Sequence, residues 1–134
     1  MKILRIPTDQ IAQRWHGIAP FIEDSLSYSG EDFTVDQVKV YLSSGQWLTL
    51  GVFDEQIMLG VIAVQFTNMP NDRVAFITAI GGKNITNSDT FNQFQAILKA
   101  HGATKIQGGV RESVARLWRR LGFSQRYILV EHKL

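Results

Sequence analysis

Cysteine is absent from the 134 residues of this chain. Disulfides, metal sites built on thiolates and cysteine nucleophiles are therefore excluded. The chain has only three histidines, His16, His101 and His132, and they lie far apart in the sequence. Because their positions do not show the spacing of metal ligands, we expect no bound metal.

Long apolar runs are also absent. The longest, residues 57–64, includes Gly60 and falls well short of the ~18 residues that a membrane-spanning helix needs. Its composition is typical of a buried strand. The first residues, MKILRIP, are too few and too charged for a signal peptide. We therefore expect a soluble, cytoplasmic protein with no membrane partner.

The overall composition is that of an ordinary globular protein. Hydrophobic residues make up 45% of the chain and charged residues 19%, so a buried core is expected and disorder is not. The length suits one domain and is tight for two. We predict a single domain over residues 1–134.

The net charge of +2 is unevenly distributed along the chain. Residues 1–55 carry four basic and eight acidic side chains, whereas residues 56–134 carry ten basic and four acidic ones. This asymmetry indicates that the second part of the chain faces an anion. The phosphates of a cofactor, a nucleic acid or an acidic partner could each be this anion.

Hydrophobic periodicity predicts the helices. Thr34 and Gln37 form a capping box for one of them, and Asn87 or Ser88 caps another that ends near Gly102. Residues 21–30 are a further helix fragment or a loop, and the sequence Tyr-Ser-Gly at residues 28–30 favours a loop. The predicted helices cover residues 11–19, 35–43, 88–101 and 114–121.

Runs of β-branched and aromatic residues predict six strands, at residues 3–6, 47–53, 57–66, 74–80, 105–110 and 127–130. The second to fourth strands are joined by short turns and form an antiparallel meander. The fourth and fifth are joined through a helix, and such a crossover places two strands parallel in one sheet. The expected fold class is therefore α/β with a mixed sheet.

Three features of this pattern resemble the GCN5-related N-acetyltransferases. The order of elements is similar, the segment VARLWRRLGF at residues 114–123 resembles that family's last helix and closing Gly-Phe, and a polar loop follows the meander. The family binds the pyrophosphate of coenzyme A at that loop. The resemblance covers about residues 46–134. A weaker association links such Arg-Leu-Gly-Phe variants to acetyltransferase-like proteins of bacteriophages.

The resemblance implies a mostly antiparallel sheet of about six to seven strands with about four helices on both faces. It also implies transfer of acetyl from acetyl-coenzyme A to an amine, whose carrier, a small molecule or a protein, the sequence does not identify. A second interpretation stays open. In it the chain is a degenerate, non-catalytic protein of the same fold, with a binding or structural role of the phage-related kind.

The loop that resembles the pyrophosphate site departs from the family's pattern. The family has Gln or Arg and then two glycines or a Gly-Ala pair, whereas Gly81, Asn84 and Thr86 occupy the corresponding positions here. Asn tolerates positive φ, Thr is β-branched, and the intervening lysine could contribute charge. A plain strand-to-helix turn is the alternative. The candidate cofactor-binding residues of this loop are Gly81, Gly82, Lys83, Asn84, Ile85, Thr86 and Asn87.

Two neighbouring strands complete the cofactor site that the resemblance implies. The pantetheine would add to the strand at residues 74–80 through main-chain groups, with Ile77, Thr78 and Ala79 nearest the thioester. Gly108 and Gly109 would help the strand at residues 105–110 separate from it, or else mark a bulge. Arg111 stands where the family often has Asn, and it could pair with a phosphate.

Catalytic residues are not identified by the sequence. Trp118 falls where many family members have a tyrosine acid, and indole cannot take that role, so core packing is its expected use. Asp72, Tyr127, Glu131 and His132 could serve as a general base, but each is more simply a surface residue.

The remaining partner predictions concern two surfaces. Arginines cluster at positions 111, 116, 119, 120 and 126. No aromatic side chains interleave with them on the exposed face, which counts against a platform for nucleic acid. Residues 127–130 form an apolar strand, and exposure of this strand at a sheet edge would permit a homodimer.

Overall fold

The computed structural model describes residues 1–28, 32–82 and 87–134, which form one five-stranded sheet with helices on both faces. The strands are β1 (Lys2–Arg5), β2 (Leu48–Asp54), β3 (Ile57–Asn68), β4 (Arg73–Gly82) and β5 (Lys105–Gly108). The helices are α1 (Ile11–Leu26), α2 (Val35–Ser43), α3 (Ser88–Ala100) and α4 (Glu112–Arg119), with a 3₁₀ turn at Thr8–Gln10.

The sheet order is β1-β2-β3-β4-β5. The first four strands pair antiparallel, and β5 pairs parallel to β4 after the α3 crossover. The predicted meander and the predicted parallel crossover are therefore both confirmed. Within the described ranges, no helix is long and apolar enough to cross a membrane.

The predicted strand at residues 127–130 is absent, and with it the expected count of six to seven strands is wrong. The described part of the chain has five strands, and the segment after α4 has no regular secondary structure, is mostly exposed and lies outside the sheet. Apolar and β-branched composition indicates only that a segment suits a strand. A strand also needs a neighbouring edge to pair with, and this segment does not lie on one.

Helix α1 is longer than periodicity alone predicts. It continues through Pro20 as far as Leu26, so residues 21–26 are helical rather than part of a loop. A proline inside a helix costs about 3 kcal/mol. Ile18, Ile22 and Leu26 recur every fourth residue on one buried face, and we attribute the continuation of the helix to the burial of that face.

Capping side chains set the start of two helices, as predicted. At α2, Thr34 Oγ1 accepts from the Gln37 N–H at 3.2 Å, and Gln37 Oε1 accepts from the Thr34 N–H at 2.9 Å. At α3, Asn87 Oδ1 accepts from the Thr90 N–H at 2.9 Å. These contacts satisfy main-chain donors that a helix start leaves without intrahelical partners.

Two hydrophobic clusters hold the layers together. One packs α3 and α4 on the sheet, through Phe94, Leu98 and Trp118. The other packs α1 and α2 on the opposite face, through Ile18, Ile22 and Leu42. The sheet is thus covered on both faces, which accounts for the nearly continuous apolar sequence of β2 and β3.

Gly81 and Gly82 lie inside β4, opposite Val61 and Gly60 of β3, and not in a loop as the sequence suggested. Helix α1 crosses this end of the strand so closely that a Cβ on Gly81 would overlap the main-chain carbonyl of Phe21. Gly82 has φ of +122°, a conformation that side chains disfavour. The glycines therefore permit contact between α1 and the end of β4.

Gly81→Ala is expected to lower the stability of the fold by about 1–3 kcal/mol, the usual cost of overpacking. The added methyl meets main chain, which cannot move away without shifting α1. Gly109→Ala is the matched control, because a Cβ there meets no atom within 4 Å. Thermal unfolding should show a midpoint lowered by several degrees for the first variant only. Equal midpoints would contradict close packing of α1 on β4.

Candidate functional site

A cleft opens where β4 and β5 part. The two strands pair over four residues, from Val74 with Lys105 to Ile77 with Gly108. Strand β5 then ends, while β4 continues to Gly82. From Thr78 onward, the side of β4 that faced β5 therefore has no neighbouring strand among the described residues, and a ligand could hydrogen-bond to the main chain there.

A polar network fixes the opposite, closed end of this cleft. The Thr104 N–H donates to the Arg73 carbonyl at 2.8 Å, and the Arg73 N–H donates to Thr104 Oγ1 at 3.0 Å. The Thr104 hydroxyl donates to Asp72 Oδ1 at 2.9 Å, and Lys105 Nζ lies 3.1 Å from Asp72 Oδ2. Arg73 Nε also donates to the His101 carbonyl. The first residues of β5 are thus tied to the start of β4.

Asp72 is held in its ionised form by this network. The hydrogen bond from Lys105 and then that from Thr104 lower the pKa of the Asp72 carboxyl below its usual range. The Asp72 side chain is 25% exposed, so screening by water reduces its effect on stability. Its role is to position β5, since it lies at the closed end of the cleft, away from the free edge of β4.

A β-bulge marks the point where the cleft begins. Ala79 pairs with Ala63 and Ile77 pairs with Val64, so that Thr78 between them has no partner residue in β3. The Thr78 Oγ1 atom is buried and has no hydrogen-bond partner among the described residues. Bulges re-aim the main chain and side chains next to them, and this one does so where β4 loses its neighbour.

Ser25 of α1 occupies part of the free edge. Its Oγ accepts a hydrogen bond of 3.0 Å from the Ile80 N–H. Because this N–H is bonded to α1 and not to β3, the main-chain groups of Ile80 point towards the open side of the strand. A ligand carbonyl at the same place would make the bond that the serine hydroxyl makes now.

The other wall of the cleft depends on Gly108. A Cβ on this glycine would lie 2.9 Å from Cζ3 of Trp118, so the absence of a side chain lets the indole pack on the end of β5. Trp118 is only 5% exposed, and its ring centroid is 4.9 Å from that of Phe123. The prediction that Trp118 is a core residue is confirmed.

Arg111 stands at the N-cap of α4, near the mouth of the cleft. Its guanidinium carbon lies 3.7 Å from the ring centroid of Tyr28, which follows α1. Cation–π contact of this kind is worth about 0.5–1 kcal/mol at an exposed site. The pair joins the ends of α1 and α4 across the cleft and keeps a cation there.

The structure brings part of the predicted site together. Ile77 and Ala79 are buried in β4 on either side of the bulge, and Gly81 and Gly82 end the same strand. Asn87 caps α3. The predicted loop residues Lys83, Asn84, Ile85 and Thr86 lie outside the described residues.

None of the four candidate bases lies at the open end of the cleft. Asp72 belongs to the network at the closed end, and Tyr127, Glu131 and His132 are exposed in the segment after α4. Sequence reasoning missed Ser25 and Tyr28, because a serine and a tyrosine near a helix end carry no motif. Only the crossing of α1 over β4 gives them a place in the site.

Asp72→Asn is expected to lower the thermal midpoint at neutral pH, since the ion pair with Lys105 is lost. The folded-state pKa of Asp72 is lowered, so its contribution to stability is fully present above the unfolded-state value of about 3.9. The contribution disappears as the pH falls through the lower folded-state pKa. The gap between wild type and variant should therefore shrink below about pH 4.

Asp54→Asn is the control, because Asp54 has no ion-pair partner among the residues described. Melting curves of the three proteins from pH 7 to pH 2.5 would test the prediction. A gap between wild type and Asp72→Asn that keeps its size at the lowest pH would contradict it.

No protein-family model matches the chain, and no curated protein matches it significantly in sequence. Solved structures do match its fold. A GCN5-related N-acetyltransferase from Ralstonia eutropha JMP134 superposes with a TM-score of 0.69 at 12% identity, over 98% of this chain and 97% of that one. A predicted acetyltransferase with acetyl-CoA from Clostridium acetobutylicum gives 0.69 at 11% identity, over 98% and 95%.

A third match is an aminoglycoside acetyltransferase from an uncultured soil metagenomic sample, with a TM-score of 0.71 at 11% identity, over 99% of this chain and 97% of that one. At such low identity the likeness concerns the fold alone. The match nevertheless extends over nearly the whole of each chain. The chain therefore has the fold of the GCN5-related N-acetyltransferases.

Proposed function

We propose that this protein transfers an acetyl group from acetyl-coenzyme A to an amine, with the cofactor lying along the open edge of β4. The observation that carries the proposal is the parting of β4 from β5 directly at the Thr78 bulge. Beyond this point β5 no longer hydrogen-bonds to β4, and an extended ligand with amide groups can make such bonds to β4 instead. Pantetheine, the flexible arm of coenzyme A, is such a ligand.

The residues of the cleft fit an amide-bearing arm. Ile80 directs its main chain to the open side and already donates to an oxygen atom, the Ser25 hydroxyl. The buried Thr78 Oγ1 atom has no hydrogen-bond partner in the described parts of the chain, so it could bond to an amide of the ligand. Arg111 adds a cation at the mouth of the cleft, where it could meet a phosphate.

The chain's contribution to the reaction would be mainly positional. When bound, acetyl-coenzyme A supplies an activated acyl group, and an amine that attacks it releases the free thiol of coenzyme A. Main-chain N–H groups at the bulge, around Thr78, would donate to the thioester oxygen as negative charge develops on it. The cleft walls would hold the amine and the acyl group in contact.

Proton transfer would pass through water in this scheme. Trp118 is buried and its indole is no acid, and Asp72 lies at the closed end of the cleft. The attacking amine would therefore arrive neutral or lose its proton to solvent, and the departing thiolate would take a proton from solvent. The described residues of the cleft include no acid–base pair, which also favours the second candidate function, a cofactor-binding protein of this fold without turnover.

Acetyl-coenzyme A and coenzyme A are both expected to raise the thermal midpoint. A ligand present at about 100 times its dissociation constant adds about 2.7 kcal/mol, which corresponds to several degrees for a chain of this size. Turnover is then read as thiol released in the presence of a panel of amines. The chain has no cysteine, so a thiol reagent detects only the product. No shift at millimolar ligand would contradict the proposal, and a shift without thiol release would support the non-catalytic candidate.

Ser25→Ala is expected to increase the shift that coenzyme A produces. The variant leaves the Ile80 N–H without its hydroxyl partner, which costs the free protein about 1 kcal/mol or more. A bound carbonyl would satisfy the N–H without first displacing the serine. Ser27→Ala is the matched control, because the Ser27 hydroxyl donates to the Asp24 carbonyl on the same helix and does not meet β4. Equal shifts in wild type and Ser25→Ala would contradict binding along this edge.

A further inference from the structure

A cavity lies at the other end of β4 from its open edge. Its volume is about 360 Å³, within the range of about 300–1,000 Å³ that is usual for small-molecule pockets. It is lined by residues from the end of β1, the start of β2, the end of β3, the start of β4 and the position that follows α3, namely Arg5, Leu48, Phe66, Arg73 and His101. The cavity thus lies away from the open end of the cleft.

The cavity lies on the α3 side of the sheet, just beyond the end of that helix. Arg5 and Arg73 are each two residues from a member of the core under α3 and α4, Ile3 and Ala75 respectively. Because residues two apart in a strand point to the same face, both arginines face the α3 side. Helix α3 stops one residue before His101, which lines the cavity. The two arginines therefore border a space that the helix does not fill.

The cavity contains cations without counter-ions. Arg5 and Arg73 line it, and no aspartate or glutamate of the described residues does. No ion pair between described residues involves either arginine. Asp72 is next to Arg73 in the sequence, but its carboxylate bonds to Lys105. Because a half-buried charge without a counter-charge is unfavourable, this cavity favours an anionic ligand.

Arg73 is held in place at the edge of the cavity. Its Nε donates to the His101 carbonyl at 3.0 Å, and its Nη1 donates to Asn68 Oδ1 at 2.8 Å. Its guanidinium carbon lies 4.7 Å from the ring centroid of Phe66, on which the imidazole of His101 also stacks. Since a guanidinium has five N–H donors, the group is oriented by the chain and keeps further donors for a ligand.

Arg5 approaches the cavity from a different strand. It is the last residue of β1, its side chain is exposed, and its main chain pairs with Leu50. Three strand spacings separate β1 from β4, which is about 14 Å across the sheet. The two cations therefore border one cavity from separate positions, an arrangement that suits a ligand with two anionic groups. Thr8 and Gln46 add a hydroxyl and an amide to the lining.

We propose that this cavity binds a small molecule with two phosphate groups, one of which contacts Arg5 and the other Arg73. A guanidinium binds phosphate oxygens through two parallel N–H donors, and each arginine supplies one such group. The site is distinct from the cleft proposed for the cofactor, because it lies at the opposite end of β4 from Thr78. This inference does not depend on the proposed function.

The first experiment compares anions by calorimetry and by amide NMR at constant ionic strength. Fructose 1,6-bisphosphate, whose phosphates are separated, is compared with inorganic phosphate and with the dicarboxylate succinate. The bisphosphate should bind the wild-type protein at least about tenfold more tightly than either, since it gains a second set of charge-assisted hydrogen bonds. The amide signals of Thr8, Gly45 and Gln46, which line the cavity, should shift. No binding at millimolar bisphosphate, equal affinity for succinate, or shifts confined to Thr78–Gly82 would overturn the proposal.

The second experiment uses variants that separate this site from net charge and from the cofactor cleft. Arg5→Gln should weaken bisphosphate binding about tenfold or more and leave the thermal midpoint unchanged, because the exposed side chain of Arg5 has no ion-pair partner among the described residues. Arg14→Gln is the matched control, since it makes the same charge change on α1, at an exposed residue that does not line the cavity. Arg111→Gln tests the mouth of the cleft, and both of these variants should bind the bisphosphate as wild type does. Equal losses in Arg5→Gln and Arg14→Gln, or a loss in Arg111→Gln alone, would overturn the proposal.

Discussion

The four-residue contact between β4 and β5 is the constraint on which the rest of the site depends. The two strands are parallel, and their last pair is Ile77 with Gly108. At the other end, hydrogen bonds among Asp72, Arg73 and Thr104 hold the strands together. If β4 and β5 paired over more residues, the cleft would be closed. If the contacts among Asp72, Arg73 and Thr104 were lost, the start of β5 would no longer be held against β4. The position of the open edge of β4 is therefore set by groups at the opposite end of the contact.

Small residues let three elements converge at the open end. Gly81 admits the main chain of α1, and Gly108 admits the indole of Trp118. Close approach brings Ser25 to the Ile80 N–H and brings the end of α1 near Arg111. Helices thus form the walls of the cleft, and their distance from the sheet is set by glycines, which have no side chain.

The helix caps and the meander followed directly from the sequence, because they depend on local contacts. Thr34 with Gln37 predicted the start of α2, and the alternation of turns and apolar runs predicted β2, β3 and β4 in order. The order of elements, the segment at residues 114–123 and the loop after the meander together predicted the fold by resemblance. Trp118 was predicted as a core residue because it falls on the apolar stripe of its helix.

Local sequence determined which segments are suited to helix or strand; only the tertiary structure decided where strands find partners. The bulge at Thr78, the inclusion of Gly81 and Gly82 in β4, and the contact of Ser25 with Ile80 all involve residues distant in sequence. Residues 127–130 illustrate the same limit of prediction from local sequence. Their composition suits a strand, but pairing is a property of two edges, and no local pattern specifies the second one.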